Sequence, residues 1–252
     1  MLNFEKTLTM SLGLALCAFG LRSAAQADDD VRTITRSGVY VIEKNSHRSI
    51  VIEADNVTLD LNGHTLAGSE DKTGIGILVN GQQNVQIRNG IVTGFGTGVE
   101  VLDSHNVTVT DLQIDGADLG GPPPGEVGVM IVNSRGVKVT NNTITQTFLG
   151  VFVRGDGSSG NTVKANTITG GNNGQLAICY NPAMNADPST DGPTGDLITA
   201  NHISRFQLGI QTSAASTSSI FSDNYISYFS QDIQEVTPGS NLFQDNASTQ
   251  LP

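Results

Sequence analysis

The sequence predicts an all-β fold built as a solenoid of stacked coils. A short phrase of β-branched residues, a polar corner and further strand residues recurs eight times between residues 56 and 246. The fourth residue of these copies lies at positions 64, 90, 112, 142, 166, 201, 224 and 246, and a spacing of 22 to 35 residues is typical of solenoids. No repeat contains a segment long enough for an amphipathic helix.

The polar corner of the phrase predicts a tight turn between two strands. In five consecutive copies the fourth residue is asparagine, namely Asn142, Asn166, Asn201, Asn224 and Asn246. Asparagine enters the left-handed backbone region at low cost, so we expect this fourth residue to be the left-handed one. In stacked coils its amides would hydrogen-bond along a column, as side-chain ladders do between parallel strands.

A second strand precedes each corner and starts after a small residue in most copies. Its first residues are Gly76, Gly98, Gly128, Gly150, Ala177, Gly209 and Asp232. Valine, isoleucine and threonine dominate the repeats, which suits strands. Each repeat therefore holds about three short strands, and one coil covers the interior of the next.

The first thirty residues predict export. A weakly charged start leads into an apolar run over residues 12–21, and residues 23–27 end in a small-x-small cleavage pattern. We expect a signal peptide over residues 1–27 and a mature β-helix domain over 28–252, with residues 28–60 as its N-terminal cap region. The apolar run is too short to span a bilayer, so a secreted or periplasmic location without membrane insertion is predicted.

The charge balance excludes some partners. Without residues 1–27 the chain keeps 11 basic and 23 acidic residues. A chain with this excess of acidic residues is expected to bind nucleic acid or an anionic membrane surface poorly. The sequence leaves the oligomeric state open.

The run over residues 56–68, followed by coils with Gly-Ile-x-Val and Asn-Thr-Ile phrases, resembles the right-handed parallel β-helix proteins of the pectate-lyase-like superfamily. The resemblance covers residues 31–246. It implies a single-stranded right-handed parallel β-helix of about eight coils. Members of the superfamily include polysaccharide lyases, polygalacturonases, alginate epimerases and periplasmic NosD-type proteins, so the resemblance implies a polysaccharide or glycan as the partner.

The same resemblance implies that the Gly-Ile-x-Val strands line the substrate groove. Alternation along a strand then assigns the faces. The residues expected to point inward are Ile77, Val99, Val129, Val151, Ile178, Ile210 and Ile233. The groove floor is expected to be Leu78, Glu100, Met130, Phe152, Cys179, Gln211 and Gln234.

Two long irregular segments interrupt the period next to this sheet. Residues 116–125 lead into the strand at Gly128, and residues 181–196 follow Tyr180. Long loops on a regular scaffold often carry function, so we expect them to wall a site around Met130, Phe152, Arg154 and Tyr180. The alternative is that they are tolerated surface insertions.

The candidate catalytic residues are Glu100, Arg154 and Asp156. A lyase or epimerase needs a base at the sugar and a cation for the uronate, whereas a hydrolase needs two carboxylates. Neighbouring coils would bring a carboxylate and a guanidinium together here. The alternative is a solvated ion pair on the sheet face. The candidate substrate-binding residues are Met130, Phe152, Tyr180 and Gln211.

Other chemistry is less well supported by the sequence. The Asn-Thr-Asp and Gly-His-Gly motifs of polygalacturonases are absent, and the four histidines lack metal-ligand spacing. We expect no cofactor; Asp187, Asp191 and Asp196 are weak candidates for Ca²⁺ because their spacing matches no known loop. The alternative function is that of a non-catalytic β-helix, which binds a glycan or a cell-surface partner through the same groove.

Overall fold

The computed structural model describes residues 31–68, 73–116, 126–181, 192–236 and 240–252. These residues form 22 β-strands and contain no helix. Consequently no helix that could cross a membrane is found within the described ranges. The signal peptide expected over residues 1–27 lies outside these ranges and stays a prediction.

The strands follow one another closely along the chain. The first eleven are β1 (Val31–Ile34), β2 (Gly38–Val41), β3 (Ser49–Ile52), β4 (Val57–Asp60), β5 (Thr65–Ala67), β6 (Ile75–Asn80), β7 (Gln86–Thr93), β8 (Thr97–Leu102), β9 (Thr108–Asp115), β10 (Val127–Val132) and β11 (Lys138–Thr140). The others are β12 (Thr143–Thr147), β13 (Leu149–Arg154), β14 (Thr162–Lys164), β15 (Thr167–Gly170), β16 (Leu176–Asn181), β17 (Leu197–Thr199), β18 (His202–Gln211), β19 (Ile220–Ser222), β20 (Tyr225–Gln234), β21 (Leu242–Gln244) and β22 (Ala247–Gln250).

The strands stack into three parallel sheets that wind around one interior. Sheet 1 runs through β1, β3, β6, β8, β10, β13, β16 and the second halves of β18 and β20. Sheet 2 contains β2, β4, the first halves of β7 and β9, β11, β14, β17, β19 and β21. Sheet 3 contains β5, the second halves of β7 and β9, β12, β15, the first halves of β18 and β20, and β22. The right-handed parallel β-helix is confirmed.

The register of sheet 1 confirms the two faces assigned from alternation. Val99 pairs with Val129, and Val129 pairs with Val151; all three are fully buried. Glu100 pairs with Met130 in the neighbouring outward column. Each fully buried aliphatic side chain contributes roughly 1.5–3 kcal/mol, so the inward columns supply most of the stability of the fold.

The corner after sheet 2 differs from the prediction by one residue. The left-handed backbone belongs to the third residue of the repeated phrase, with φ of 57° at Asn141 and 55° at Ala165. The fourth residue, for example Asn142 or Asn166, is instead buried. The prediction was wrong here because asparagine also suits a buried ladder, and the fourth residue has that role.

The predicted amide ladder is present inside the coil. Asn166 Oδ1 accepts hydrogen bonds from the backbone N–H of Asn142 at 2.9 Å and from Asn142 Nδ2 at 3.1 Å. Asn166 Nδ2 donates to Val139 O at 2.9 Å and to Asn201 Oδ1 at 3.0 Å. The same pattern continues through Asn224 and Asn246. The ladder satisfies backbone groups that the corner removes from the sheets.

The predicted cap region joins the stack directly. β1 pairs with β3 and β2 pairs with β4, so residues 31–60 already follow the register of the later coils. The boundary of the cap at residue 60 stays a prediction.

Candidate functional site

The outer face of sheet 1 holds the two charged side chains, Glu100 and Arg154, that were expected to face a groove. Glu100 lies on β8 and Arg154 lies at the end of β13, with β10 between the two strands. Adjacent strands are about 4.8 Å apart, so β8 and β13 are separated by roughly 10 Å across the sheet. Arg154 is in register with Val132 and Leu102, two residues further along the sheet than Glu100.

The Glu100 carboxyl is half-buried, and its pKa is shifted. Burial raises the pKa of Glu100 above its usual value, and the positive charge of Arg154 offsets part of that increase. Desolvation is therefore the dominant cause, and the guanidinium is close enough to act on the carboxylate. A partly exposed carboxyl with a raised pKa is a suitable proton acceptor or donor.

Arg154 and Asp156 lie at the C-terminal end of β13. The buried Arg154 Nε has no hydrogen-bond partner among the described residues. Asp156 lies two residues beyond β13, in the turn between Gly155 and Gly157, and is exposed. The structure therefore brings Glu100 and Arg154 to one face of the sheet, while Asp156 occupies the adjoining turn.

The middle of the expected groove floor is closed to solvent. Phe152 and Cys179 point outward but are only 1% and 2% exposed. They belong to a second apolar cluster with Val127, Phe148 and Leu149, and Met130 packs against it. Met130 remains half-exposed. Direct contact of a sugar with Phe152 would require this cluster to open, so its role as a binding residue is not supported by the geometry.

Tyr180 does not face the groove. It pairs with Val153 in the inward column, is 2% exposed and contacts the Phe221 ring edge-on at 5.8 Å between centroids. This corrects the expected substrate-binding role of Tyr180. The physical reason is strand alternation, since Cys179 points outward and the next residue must point inward.

Gln211 is half-exposed on the outer face of sheet 1, as expected. Its Nε2 donates to Gln234 Oε1 at 2.7 Å. The Cys179 Sγ lies 3.9 Å from Gln211 Oε1. From Glu100 onward the outward column thus runs through the closed apolar cluster to an amide pair at its C-terminal end.

A buried acidic residue whose interior position was not predicted lies behind this sheet. Asp196 is 2% exposed and its Oδ1 accepts the Asn161 backbone N–H at 2.7 Å. Burial raises the pKa of Asp196 to about 6, although the hydrogen bond from the Asn161 backbone N–H offsets part of the increase. Burial and the nearby Asp196 raise the pKa of Tyr180 well above its usual value.

The position of Asp196 in the repeat could have revealed this placement. Asp196 is in register with Val85, Val107 and Val137, which all precede a sheet 2 strand and point inward. Of the weak Ca²⁺ candidates, Asp187 and Asp191 lie outside the described residues. Asp196 itself faces Asn161 and Tyr180 in the interior.

Comparison with known proteins shows one family and a common fold. The sequence model of the family described as "Periplasmic copper-binding protein (NosD)" matches residues 45–250. A search of curated proteins finds no match to this chain.

Several solved structures have a similar fold. The Dettilon tailspike protein superposes with a TM-score of 0.55 at 13% identity, over 87% of this chain and 55% of the tailspike chain. This chain thus spans about half the length of that protein. An endo-xylogalacturonan hydrolase from Aspergillus tubingensis aligns with a TM-score of 0.48 at 14% identity, over 83% of this chain and 70% of the hydrolase. At 13% identity the likeness to the tailspike protein shows only the fold.

The described residues do not fit the copper site that the family description implies. Copper sites use cysteine, methionine and histidine ligands. No three residues among His, Cys, Asp and Glu gather anywhere in the described ranges. Phe152 separates Cys179 from Met130 along the outward column, and His202 is stacked on Tyr225 with 5.0 Å between ring centroids. No chemical step is therefore assigned to copper.

Proposed function

Because this chain belongs to the NosD family of periplasmic proteins, we propose that it is exported and acts on a polysaccharide along the outer face of sheet 1. The Glu100 carboxylate accepts a proton from the sugar, and Arg154 binds the acidic group of the sugar. The observation that carries this proposal is the half-buried Glu100 carboxyl, whose pKa is raised by burial beside the positive charge of Arg154. A lyase or epimerase reaction uses such a pair, because it needs one base and one cation at the uronate.

The acidity of Glu100 determines the pH at which this reaction would operate. A raised pKa keeps the carboxyl protonated to higher pH than usual, and the carboxylate form is the proton acceptor. We therefore expect turnover to rise with pH through the raised pKa of Glu100. The Glu100→Gln variant lacks the proton acceptor and should lose turnover at every pH.

The test is to incubate the mature protein with neutral and uronate-containing polysaccharides. Absorbance detects unsaturated sugar ends, and a reducing-sugar assay detects hydrolysis. We expect product from a uronate polymer, loss of product in Glu100→Gln, and weaker substrate binding in Arg154→Met. Arg88→Ala, which changes an arginine on the outer face of sheet 2, should leave both unchanged. If Glu100→Gln and Arg154→Met retain wild-type turnover and binding, the proposed site is wrong.

The second candidate is a non-catalytic protein that binds a glycan through the same sheet. The Gln211–Gln234 amide pair favours it, because amides donate and accept hydrogen bonds to sugar hydroxyls and neither amide is an acid or base. Binding without product on the whole panel, weakened by Gln211→Ala, would support this candidate over the catalytic one.

A further inference from the structure

Basic residues are concentrated in two consecutive coils of an otherwise acidic chain. Residues 127–168 contain one acidic residue, Asp156, and four basic residues, namely Arg135, Lys138, Arg154 and Lys164. Over residues 28–252 the chain has 11 basic and 23 acidic residues, so these two coils carry the opposite sign of charge. Glu126, immediately before β10, is buried. A local excess of positive charge favours a ligand that is negatively charged.

The four basic residues follow one path around the solenoid, and we call them the basic belt. Arg154 ends β13 and is in register with Val132, the last residue of β10. Arg135 lies three residues beyond Val132, in the turn that leads from sheet 1 to sheet 2. Lys138 and Lys164 then lie on β11 and β14, which are paired strands of sheet 2. The path from Val132 to Lys138 is six residues, so it covers at most about 20 Å.

The two lysines lie on a flat face that is rich in hydroxyl groups. Lys138 pairs with Thr162, and Thr140 pairs with Lys164, so the lysines are diagonal neighbours on adjacent strands. Two residues along a strand and one strand across the sheet separate their Cα atoms by roughly 8 Å. Both lysines are exposed. The face therefore offers two ammonium groups with threonine hydroxyls between them.

The cationic groups of the belt are available to an outside ligand. The one ion pair found among the described residues joins Arg88 to Asp60 and involves no member of the belt. Arg135 is exposed, and its Nε donates to Gly157 O at 3.2 Å, which holds the side chain over the turn. Arg154 Nε is buried and has no hydrogen-bond partner in the described part of the chain. An anionic ligand would supply acceptors for these guanidinium groups.

The coils on either side of the belt carry only acidic charges. Residues 97–126 contain six acidic residues and residues 169–204 contain three, and neither segment contains a lysine or an arginine. An anionic polymer that extended along the solenoid axis would therefore meet negative charge on both sides. The favourable course for such a polymer runs around the coil, from sheet 1 across the turn to sheet 2.

We propose that the basic belt binds a stretch of an acidic polysaccharide beyond the site of Glu100 and Arg154, so that the polymer leaves sheet 1 over the turn and lies across sheet 2. This inference rests on the proposed function, which places an acidic sugar at Arg154. The lysine ammonium groups bind its carboxylates, and the threonine hydroxyls hydrogen-bond to its hydroxyl groups. A disaccharide is too short to reach from Arg154 to the lysines, so the ligand that fits the belt is a long uronate chain.

The dependence of affinity on oligomer length tests the belt. Calorimetry on Glu100→Gln, which leaves the ligand intact, compares a disaccharide with a long oligomer of galacturonate and of mannuronate. We expect the long oligomer to bind more tightly, and the gain to shrink as salt screens the belt. Adding Lys138→Glu and Lys164→Glu should weaken binding of the long oligomer roughly tenfold.

A control variant separates the belt from the net charge of the protein. Lys44→Glu with Arg48→Glu makes the same change of charge at exposed residues between β2 and β3. β2 is four strands from β11 across sheet 2, about 19 Å away, so the control should keep the gain with length. Far-ultraviolet circular dichroism and the unfolding midpoint show that each variant is folded.

Four outcomes decide the proposal. A long oligomer that binds no more tightly than the disaccharide overturns it, and so does an equal loss of affinity in the control variant. Equal binding to vesicles of anionic phospholipid, weakened by Lys138→Glu with Lys164→Glu, would assign the belt to a membrane surface and overturn the polysaccharide. If the wild type forms no product from any uronate polymer, yet the belt substitutions abolish the gain with length, the proposed catalysis fails and the belt stands.

Discussion

The early and late coils of the solenoid fill the same interior positions with different chemistry. Before the sheet 2 strand, the early coils place Val85, Val107 and Val137 in the interior, whereas the late coils place Asn161, Asp196, Ser219 and Asn241 there. The backbone register is the same throughout, because Lys138 N donates to Val107 O just as Ile220 N donates to Asp196 O. A corner of the coil can therefore be filled by aliphatic side chains or by a polar ladder, and in this ladder Asn161 Nδ2 and Asp196 Oδ2 remain without a hydrogen-bond partner among the described residues.

The turn after sheet 2 also changes in sequence between the early and the late coils. The fourth residue of the phrase is His64, Gly90 and Leu112 in the early coils and asparagine from Asn142 onward. The left-handed third residue is Gly63, Asn89, Asp111 and Asn141 in the first four copies but alanine at Ala165 and Ala200. In these two coils the left-handed residue is an exposed alanine, and the buried asparagine ladder stabilises the turn. The following changes test how much stability each arrangement supplies.

Asn166→Ala should cause the largest loss of stability, about 3 kcal/mol or more. The Asn166 side chain makes four ladder hydrogen bonds, and its removal leaves the buried Asn142 backbone N–H without its acceptor. Urea unfolding measures the loss. Asn80→Ala, an exposed asparagine on sheet 1, is the control and should stay within about 0.5 kcal/mol of the wild type. A loss at position 166 no larger than that of the control would mean that the ladder contributes little.

Asp196→Asn should raise stability at neutral pH by roughly 2–3 kcal/mol. The folded pKa of about 6 lies above the ordinary 3.8, so the favourable protonated form is fully present below pH 3.8 and its contribution is lost as pH rises through about 6. Asparagine has the same shape and no charge. It keeps the acceptor for Asn161 N, and its amide can donate to Tyr180 Oη.

The stability difference between Asp196→Asn and the wild type is measured by urea unfolding at several pH values. We expect the difference to be largest above pH 6 and to disappear towards pH 3.8, because both side chains are then neutral. A variant equal to the wild type at pH 8 would show that the late-coil ladder tolerates a buried carboxylate without cost.

Ala165→Asn should raise stability by about 0.5–1 kcal/mol. Ala165 is exposed and has a φ of 55°, a region that asparagine enters more easily than alanine. Asn141, at the same position one coil earlier, already has this arrangement. The shift of the urea midpoint checks the prediction. Asn141→Ala is the reciprocal variant and should lose a similar amount; gains or losses of the same sign in both variants would contradict the argument.

Arg88→Ala should have the smallest effect, at most about 0.5 kcal/mol. Arg88 Nε donates to Asp60 Oδ2 at 3.0 Å on the outer face of the early coils, and the arginine side chain is 42% exposed. Surface ion pairs of this kind contribute little and are screened by salt. Urea unfolding at low and high salt should show a small difference that shrinks further at high salt. A loss comparable to that of Asn166→Ala would mean that outer contacts matter as much as the ladder.

The sequence predicted the coil, its period and its two faces because these depend on local alternation. Val99 and Glu100 point to opposite sides as expected, and the asparagine ladder is present. The left-handed residue was misplaced by one, because asparagine suits both a left-handed turn and a buried ladder. Asp196 was missed as an interior residue because an irregular stretch precedes it, which hid its register.

The candidate site was only partly predictable for a different reason. Alternation correctly sent Phe152 and Cys179 outward, yet both are buried. Whether an outward residue is exposed depends on the segments that pack over it from distant parts of the sequence. For Tyr180, strand alternation alone places the side chain in the core, so its position could have been predicted from the sequence. The Glu100 and Arg154 pair required only coil spacing, so it could be proposed from the sequence.

The sequence by itself determined a parallel β-helix, its repeat, and which residues share a column, because alternation and corner residues act within one coil. Only the tertiary structure decided which outward residues reach solvent, which asparagine has a left-handed backbone conformation, and how the pKa values of Glu100 and Asp196 shift. Those properties depend on desolvation and on hydrogen bonds between coils, and both arise from residues that are distant in sequence and adjacent only after stacking.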